Sequence, residues 1–259
     1  MENNAAVVVL ANKPYLKYFE NIYNDIRGVG KYKGDIVLLT NFDTNCKKIY
    51  KFIDKNVEIK RFNNITFSKN TNKHLNSIQY GRNKNFSFQW HKFHLFDKYF
   101  KKWDYIFYLD INMKIRKSIL PLLNLAKKDT LYAPYDAYPN LDWTLKSQFD
   151  LENIFFEKLY SNYDLENPKY FQTGILFYDT DIIKNDTVQK LINLVEKFPI
   201  SKNNEQGIMN LFFMYEYPVF KQLPDSIGSQ KTYSYWKLKD YDSIILKKNK
   251  FENDTKGSF

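Results

Sequence analysis

Tyr105-Ile106-Phe107-Tyr108-Leu109-Asp110-Ile111-Asn112-Met113 runs apolar and aromatic for five residues and then stops at a carboxylate. A continuous β-prone run of this kind marks a strand buried on both faces. A carboxylate at the end of such a strand is expected to project into a cleft rather than into the core. One apolar residue separates Asp110 from Asn112, so period-two geometry predicts that both side chains point the same way. Two oxygen-bearing groups so placed suit a hard divalent ion bridging phosphate oxygens. The plain alternative is a strand-end Asp that caps a turn.

Upstream of this stretch, strand and helix signals alternate. Ala5-Ala-Val-Val-Val-Leu-Ala11 reads as a second buried strand. A helical stretch follows, with Pro14 near its start, Tyr15, Tyr18, Phe19, Ile22 and Ile26 on one face, and Gly28 and Gly30 ending it. Asp35 to Thr40 reads as a strand, a short helix is expected through Ile49 and Phe52, and a strand near Val57 to Phe62. The β-α-β-α-β order predicts a parallel sheet with right-handed crossovers. Ligands bind such sheets at the carboxyl ends of the strands, which places a site along Leu10 to Tyr15 and Thr40 to Asp43. Ser68 to Asn85 is polar and is expected to be a surface loop; Ser87 to Tyr99 is expected to be a helix with Phe88, Leu95 and Tyr99 inward.

The chain has 259 residues, only 8 Gly and 8 Pro, and no tract that reads as a linker, so one α/β domain over 1–259 is expected, with 225–259 as a lid or extension. Aromatic content is high at 18%. The net charge of +10 could point to nucleic acid, but the lysines are spread along the chain and no helix carries a long basic stripe, so no nucleic-acid partner is expected. An anionic diphosphate ligand and the residue bias of AT-rich codons account for the charge equally well. The single Cys46 can form no internal disulfide. The run from Ala5 to Ala11 is too short to span a membrane and has no basic leader, so a soluble, cytoplasmic protein without a signal peptide is the expectation.

Taken in order, further motifs give the chain a recognisable likeness. Tyr108-Leu109-Asp110-Ile111-Asn112 is preceded by Trp90-His91-Lys92 and followed by Ala133-Pro134-Tyr135-Asp136, Phe171-Gln172-Thr173-Gly174 and the pair Glu205-Gln206 with Asn210 one turn on. This series resembles the GT-A glycosyltransferases, in particular the family 8 type that includes glycogenin-like and bacterial galactosyltransferase-like enzymes. The resemblance spans roughly Ala5 to Leu223. It implies a Rossmann-like mixed sheet flanked by helices, a nucleotide-diphosphate sugar donor with uridine favoured, a carbohydrate or protein acceptor, and Mn²⁺ or Mg²⁺.

The resemblance also implies roles for individual residues. Asp110 and Asn112 would hold the metal. Leu10, Asn12, Tyr15, Thr40, Leu109, Asp110 and Gly174 would line the donor site, with Lys92 on the diphosphate. Asn12 would bond the base edge, while Tyr15 either stacks on the base or packs on its own helix. Asp136, Gln172, Glu205 and Gln206 would contact the sugar and the reacting centre, although Glu205 has the alternative of complementing a helix dipole. Two departures stand out. Asn112 replaces the usual second Asp, and the family's late His within a His-x-x-Gly-x-x-Lys-Pro-Trp motif is absent, because His74, His91 and His94 all precede Asp110. Either Mn²⁺ or Mg²⁺ then binds weakly and largely through the diphosphate, or protein cations take over its role; Lys247 and Lys248, after Ser243-Ile-Ile-Leu246, lie where a closing tail could reach the phosphates. His91 and His94 lie i, i+3 and could share a metal, but without an acidic or cysteine partner they read as packed histidines.

Transfer with retention is expected if the family 8 likeness extends to mechanism; an inverting enzyme would need Asp136 or Glu205 as general base. Two other readings stay open. A nucleotidyltransferase would show a Gly-rich basic loop after the first strand, where this chain has Leu10-Ala-Asn-Lys-Pro-Tyr15. A catalytically inactive relative could serve as a basic binding module. Acceptor choice is expected to reside between Tyr138 and Pro168, which includes Trp143, or in the Tyr- and Lys-rich tail with Trp236.

Overall fold

A computed structural model describes residues 4–42, 56–78, 84–136, 142–235 and 242–247. The expectations for a helix through Ile49 and Phe52, and for Cys46, Tyr138, Trp236 and Lys248, lie outside these described residues.

A seven-stranded sheet forms the centre, in the order β3-β2-β1-β4-β7-β6-β8. Its strands are β1 (Ala5–Leu10), β2 (Asp35–Thr40), β3 (Val57–Arg61), β4 (Tyr105–Asp110), β6 (Leu131–Ala133), β7 (Ile175–Asp179) and β8 (Phe220–Gln222). From β3 to β4 all pairings are parallel, whereas β7 runs antiparallel to both β4 and β6. The register sets Leu10 beside Leu39 on one side and Asp110 on the other. The ends of β1, β2 and β4 therefore lie side by side, which is where parallel sheets collect ligands.

Alternation along β1, β2 and β4 feeds two cores. Ala6, Val8, Val37, Ile106 and Tyr108 belong to one, and Val7, Val9, Ile36, Leu38, Phe107 and Leu109 to the other. This double burial is why these strands read as unbroken apolar runs. Helix Phe19–Arg27 buries Phe19, Ile22 and Ile26 on the second core and ends at Gly28. The chain from Pro14 enters it through a short 3₁₀ turn, Tyr15–Tyr18.

A second sheet, β5-β11-β10-β9, stands beside the first. It joins β5 (Met113–Ile115) to β9 (Ser226–Ile227), β10 (Gln230–Tyr235) and β11 (Ser243–Lys247). The tail is thus part of the fold's packing: Tyr233, Ile244 and Ile245 are buried in the second core with Val7 and Val9.

Three local expectations differ from the structure. Lys69–Ser77 is a helix, not a loop, and the Ser68 side chain caps it by accepting from the Thr71 amide. Glu196, from helix Thr187–Lys197, also accepts from the Ser68 amide at 2.6 Å and its hydroxyl at 2.7 Å, a distant anchor that sequence pattern does not reveal. The segment before β4 is 3₁₀ rather than α, over Lys84–Phe96 and Lys98–Lys102. Trp90, His91, Lys92, Phe93, Leu95 and Phe96 are all buried, so this segment lies within the fold rather than along one face. Finally, β4 ends at Asp110 and residues 111–112 form the turn into β5, so strand alternation does not carry through to Asn112.

Candidate active site

Asp110 is the hinge of the site. Its amide donates to the Gly174 carbonyl at 2.8 Å, which ties the end of β4 to the start of β7. Its Oδ1 accepts from the Tyr108 hydroxyl at 2.6 Å and pairs with the Lys92 ammonium at 3.0 Å. Tyr108 lies two residues earlier on the same strand, so period two brings both groups to one face.

Lys92 is buried against Asp110, with its side chain only 3% exposed. Its ammonium also pairs with Glu205 Oε1 at 2.8 Å and donates toward the Thr173 carbonyl and hydroxyl at 3.2 Å each. Its three N–H groups are thereby engaged inside the protein. Lys92 lies under Asp110, where it locks that carboxylate to Glu205. Burial pushes the Asp110 carboxyl up, but Lys92, Lys247 and the Tyr108 hydroxyl outweigh this and hold it below the usual carboxylate range. Burial pulls the Lys92 ammonium down, and Asp110 and Glu205 together raise it above its ordinary value. The pair is ionised at neutral pH.

Glu205 is fully buried at the first position of helix Glu205–Leu211. Besides Lys92 it accepts from the Thr173 hydroxyl at 2.7 Å, so its partner is a buried ammonium rather than merely the helix dipole. Gln206 turns to the other side. Its Oε1 accepts from the Thr173 amide at 3.3 Å, and its Nε2 donates to Asp136 Oδ2 at 2.9 Å and Gln148 Oε1 at 3.0 Å. The Tyr170 hydroxyl donates to the same Asp136 oxygen at 3.0 Å. Asn210 clips the segment before β7 with bonds to the Phe171 amide and carbonyl at 2.8 and 2.7 Å.

Gly174 is where the parts crowd. A Cβ there would meet Met113 Cε at 2.6 Å, and Asp110 Oδ2 and Gln172 Oε1 at 3.2 Å each. The chain's own side chains thus make the close approach that requires a glycine here. Gln172 Oε1 accepts from the Lys247 ammonium at 2.9 Å. β11 delivers that lysine, pairing Lys247 with Met113, three residues after Asp110.

The structure therefore gathers Asp110, Lys92, Glu205, Gln206, Asp136, Gln172, Gly174 and Lys247 into one network. Leu10, Leu109 and Thr40 lie at the neighbouring strand ends, buried; the Thr40 carbonyl accepts from His91 Nε2 at 3.0 Å. In the loop after β1, Asn12 Oδ1 accepts from the Tyr15 amide at 3.2 Å, and half-buried Tyr15 packs at 6.0 Å from Tyr18. The expected second lysine, Lys248, is outside the described residues. Sequence reading missed Tyr108, Thr173, Tyr170 and Gln148. Period two from Asp110 could have found Tyr108, and Thr173 adjoins two named residues. Gln148, in a 3₁₀ turn at Leu145–Gln148, carries no sequence signal.

These groups do not fit a divalent ion. Among the described residues no three His, Cys, Asp or Glu side chains come together. Asp110 already faces two ammonium groups, and Asn112 adds a neutral, buried Oδ1 with no hydrogen-bond partner. His91 and His94 do meet, with ring centroids 4.6 Å apart, but their Nε2 atoms bond the Thr40 and Asn63 carbonyls. Burial, with His94 adding to it, pushes His91 down to about 4.

No family model and no curated protein sequence matches the chain. Solved structures do. The galactosyltransferase LgtC, in complex with donor and acceptor sugar analogues, matches over 93% of this chain and 86% of its own, with a TM-score of 0.61 at 13% identity. The fold is GT-A. The apo structure of the bifunctional glycosyltransferase WbbM aligns with 95% of this chain at TM-score 0.59 and 14% identity, and this chain spans only 46% of WbbM's length. Mouse xyloside xylosyltransferase 1, in its apo form, aligns over 95% of this chain and 97% of its own at TM-score 0.53 and 10% identity. In GT-A terms, the network around Asp110 occupies the carboxyl ends of the strands where the parallel half of the sheet meets antiparallel β7. Among the described residues, no helix of this GT-A chain is long and apolar enough to cross a membrane.

Proposed function

We infer that the chain is a glycosyltransferase that moves a sugar from a nucleotide-diphosphate donor, with UDP-sugars favoured, to an acceptor hydroxyl. One observation carries this reading. Within a GT-A fold, Lys92 clamps the strand-end Asp110 to Glu205, a helix-start residue some hundred positions away in sequence, and the clamp is continuous through Thr173 with Gln206 and Asp136. A buried ion-pair network of this kind costs desolvation. Its place beneath a strand-end cleft fits a site that must hold polar groups rigidly.

In this reading the donor's nucleotide lies over the loop Leu10 to Tyr15 and the end of β2, and its diphosphate over Asp110 and Gly174. The sugar faces Gln172, Gln206 and Asp136. One solved LgtC structure is of an active-site mutant in which a glutamine is changed to glutamate. Here Gln206 is held from several sides and can present its amide in one orientation only. Glu205 is buried and paired with Lys92, so it cannot reach an acceptor; Asp136, half-buried, is the carboxylate that can. The acceptor side then adjoins Leu145–Gln148, which follows Trp143, 40% exposed, and binds Gln206 through Gln148.

Thermal shift with a panel of nucleotide-diphosphate sugars tests the reading. A donor at a hundredfold over its Kd stabilises by about 2.7 kcal/mol, which raises Tm by roughly 5–10 °C for a domain of this size. The expected result is a shift with one donor class that disappears in Asp110→Ala. A panel without any shift overturns the assignment.

A further inference from the structure

If the chain uses a nucleotide-diphosphate donor as inferred above, something must neutralise the charge that develops on the departing diphosphate. Asp110 Oδ2 and Gln172 Oε1 both crowd Gly174, each 3.2 Å from where a Cβ would stand, a point that Met113 Cε fills at 2.6 Å. The cation beside them is built into the chain: Lys247 Nζ stands 2.9 Å from Gln172 Oε1, and its charge acts on Asp110.

The arrangement is held from two sides. The pairing of β11 with β5 sets Lys247 against Met113, so the lysine cannot drift from the Asp110 turn without unzipping the sheet. On the other edge β10 pairs Tyr235 with Lys247, and the ammonium stands 5.6 Å from the Tyr235 ring centroid. Lys247 itself is half-buried, so its charge is partly desolvated. Lys92 cannot serve, because Asp110, Glu205 and Thr173 engage its donors below. A divalent ion would enter against both ammonium groups, with one carboxylate and no third His, Cys, Asp or Glu among the described residues.

We propose that Lys247 is the resident cation of this site, meeting the donor's diphosphate directly, so that nucleotide binding does not require a divalent metal. Glycosyl transfer then breaks the bond between the anomeric carbon and the diphosphate oxygen. The electron pair stays on that oxygen, where the ammonium stabilises it. The acceptor oxygen forms the new bond to the anomeric carbon and passes its proton to the departing diphosphate oxygen.

Calorimetric titration with UDP, GDP, CDP and ADP, each in chelator and in Mn²⁺, tests this. The expected result is one diphosphate that binds with the same Kd in both. Lys247→Met should weaken it roughly 10–100-fold, the range for a lost charge-assisted hydrogen bond, while Lys247→Arg retains most of the affinity. The electron paramagnetic resonance signal of Mn²⁺ should remain that of the free ion when protein is added without nucleotide. Binding that appears only with Mn²⁺, accompanied by a protein-bound Mn²⁺ signal, overturns the proposal and leaves the transferase assignment standing. Unchanged affinity in a folded Lys247→Met also overturns it. Should that variant not fold, the wild-type comparison in chelator decides. No binding of any diphosphate in either condition removes the donor assignment itself, and this proposal with it.

Discussion

At the scale of single residues, the site is governed by one buried ammonium. Lys92 neutralises Asp110 and Glu205 where little water reaches them, and removing it leaves two carboxylates without their cation. Breaking a buried pair from one side costs about 3–5 kcal/mol, far more than losing a surface ion pair. Lys92→Met, which keeps the volume but not the charge, should lose stability of that order in urea unfolding, and a change below about 1 kcal/mol would refute a structural role. Sequence reading located Lys92 by its place in a motif series but assigned it to the ligand. The reason is physical: a lysine's reach depends on what surrounds its end, and Thr173 and Glu205 arrive from far along the chain.

At the scale of elements, two predictions separate local from long-range support. The Ser68 cap and its tie to Glu196 hold helix Lys69–Ser77, a stretch whose polar composition reads as loop. Ser68→Ala should cost about 1 kcal/mol, the usual value of a lost N-cap, measured by chemical denaturation. Between the 3₁₀ segment before β4 and the end of β2, His91 is held neutral by burial, its Nε2 on the Thr40 carbonyl and its Nδ1 without a partner. Its pKa of about 4 lies below the ordinary 6.5, so its contribution is complete above pH 6.5 and is lost as pH falls toward 4. Across that window it amounts to about 3 kcal/mol, from 1.36 kcal/mol per unit. In unfolding free energy followed against pH, His91→Gln should flatten this fall; an unaltered pH slope would remove His91 as its cause.

On the scale of the whole molecule, two sheets share one core and meet at the site. Ile245 of β11 is fully buried with Val7 and Val9 of β1, although some 235 positions separate them. Ile245→Ala should therefore cost about 2–5 kcal/mol and lower the melting of the entire fold in a single transition. A separate early transition confined to the second sheet would show that the two sheets are independent.

The sequence by itself determined the parallel half of the main sheet, the carboxylate that ends β4, and the GT-A likeness. Strands buried on both faces must be written as apolar runs, and their interruption at Asp110 is visible in the chain. The order of Asp136, Gln172, Gly174 and Glu205-Gln206 was legible only as a series of short motifs resembling that family. Only the tertiary structure decided that Lys92 faces inward, that Gln148 and Tyr170 support Gln206 and Asp136, and that Lys247 lies against Gln172. Those contacts join elements far apart in the chain. No local periodicity encodes them, because they exist only once β11 has paired with β5 and helix Glu205–Leu211 has closed on the ends of β4 and β7.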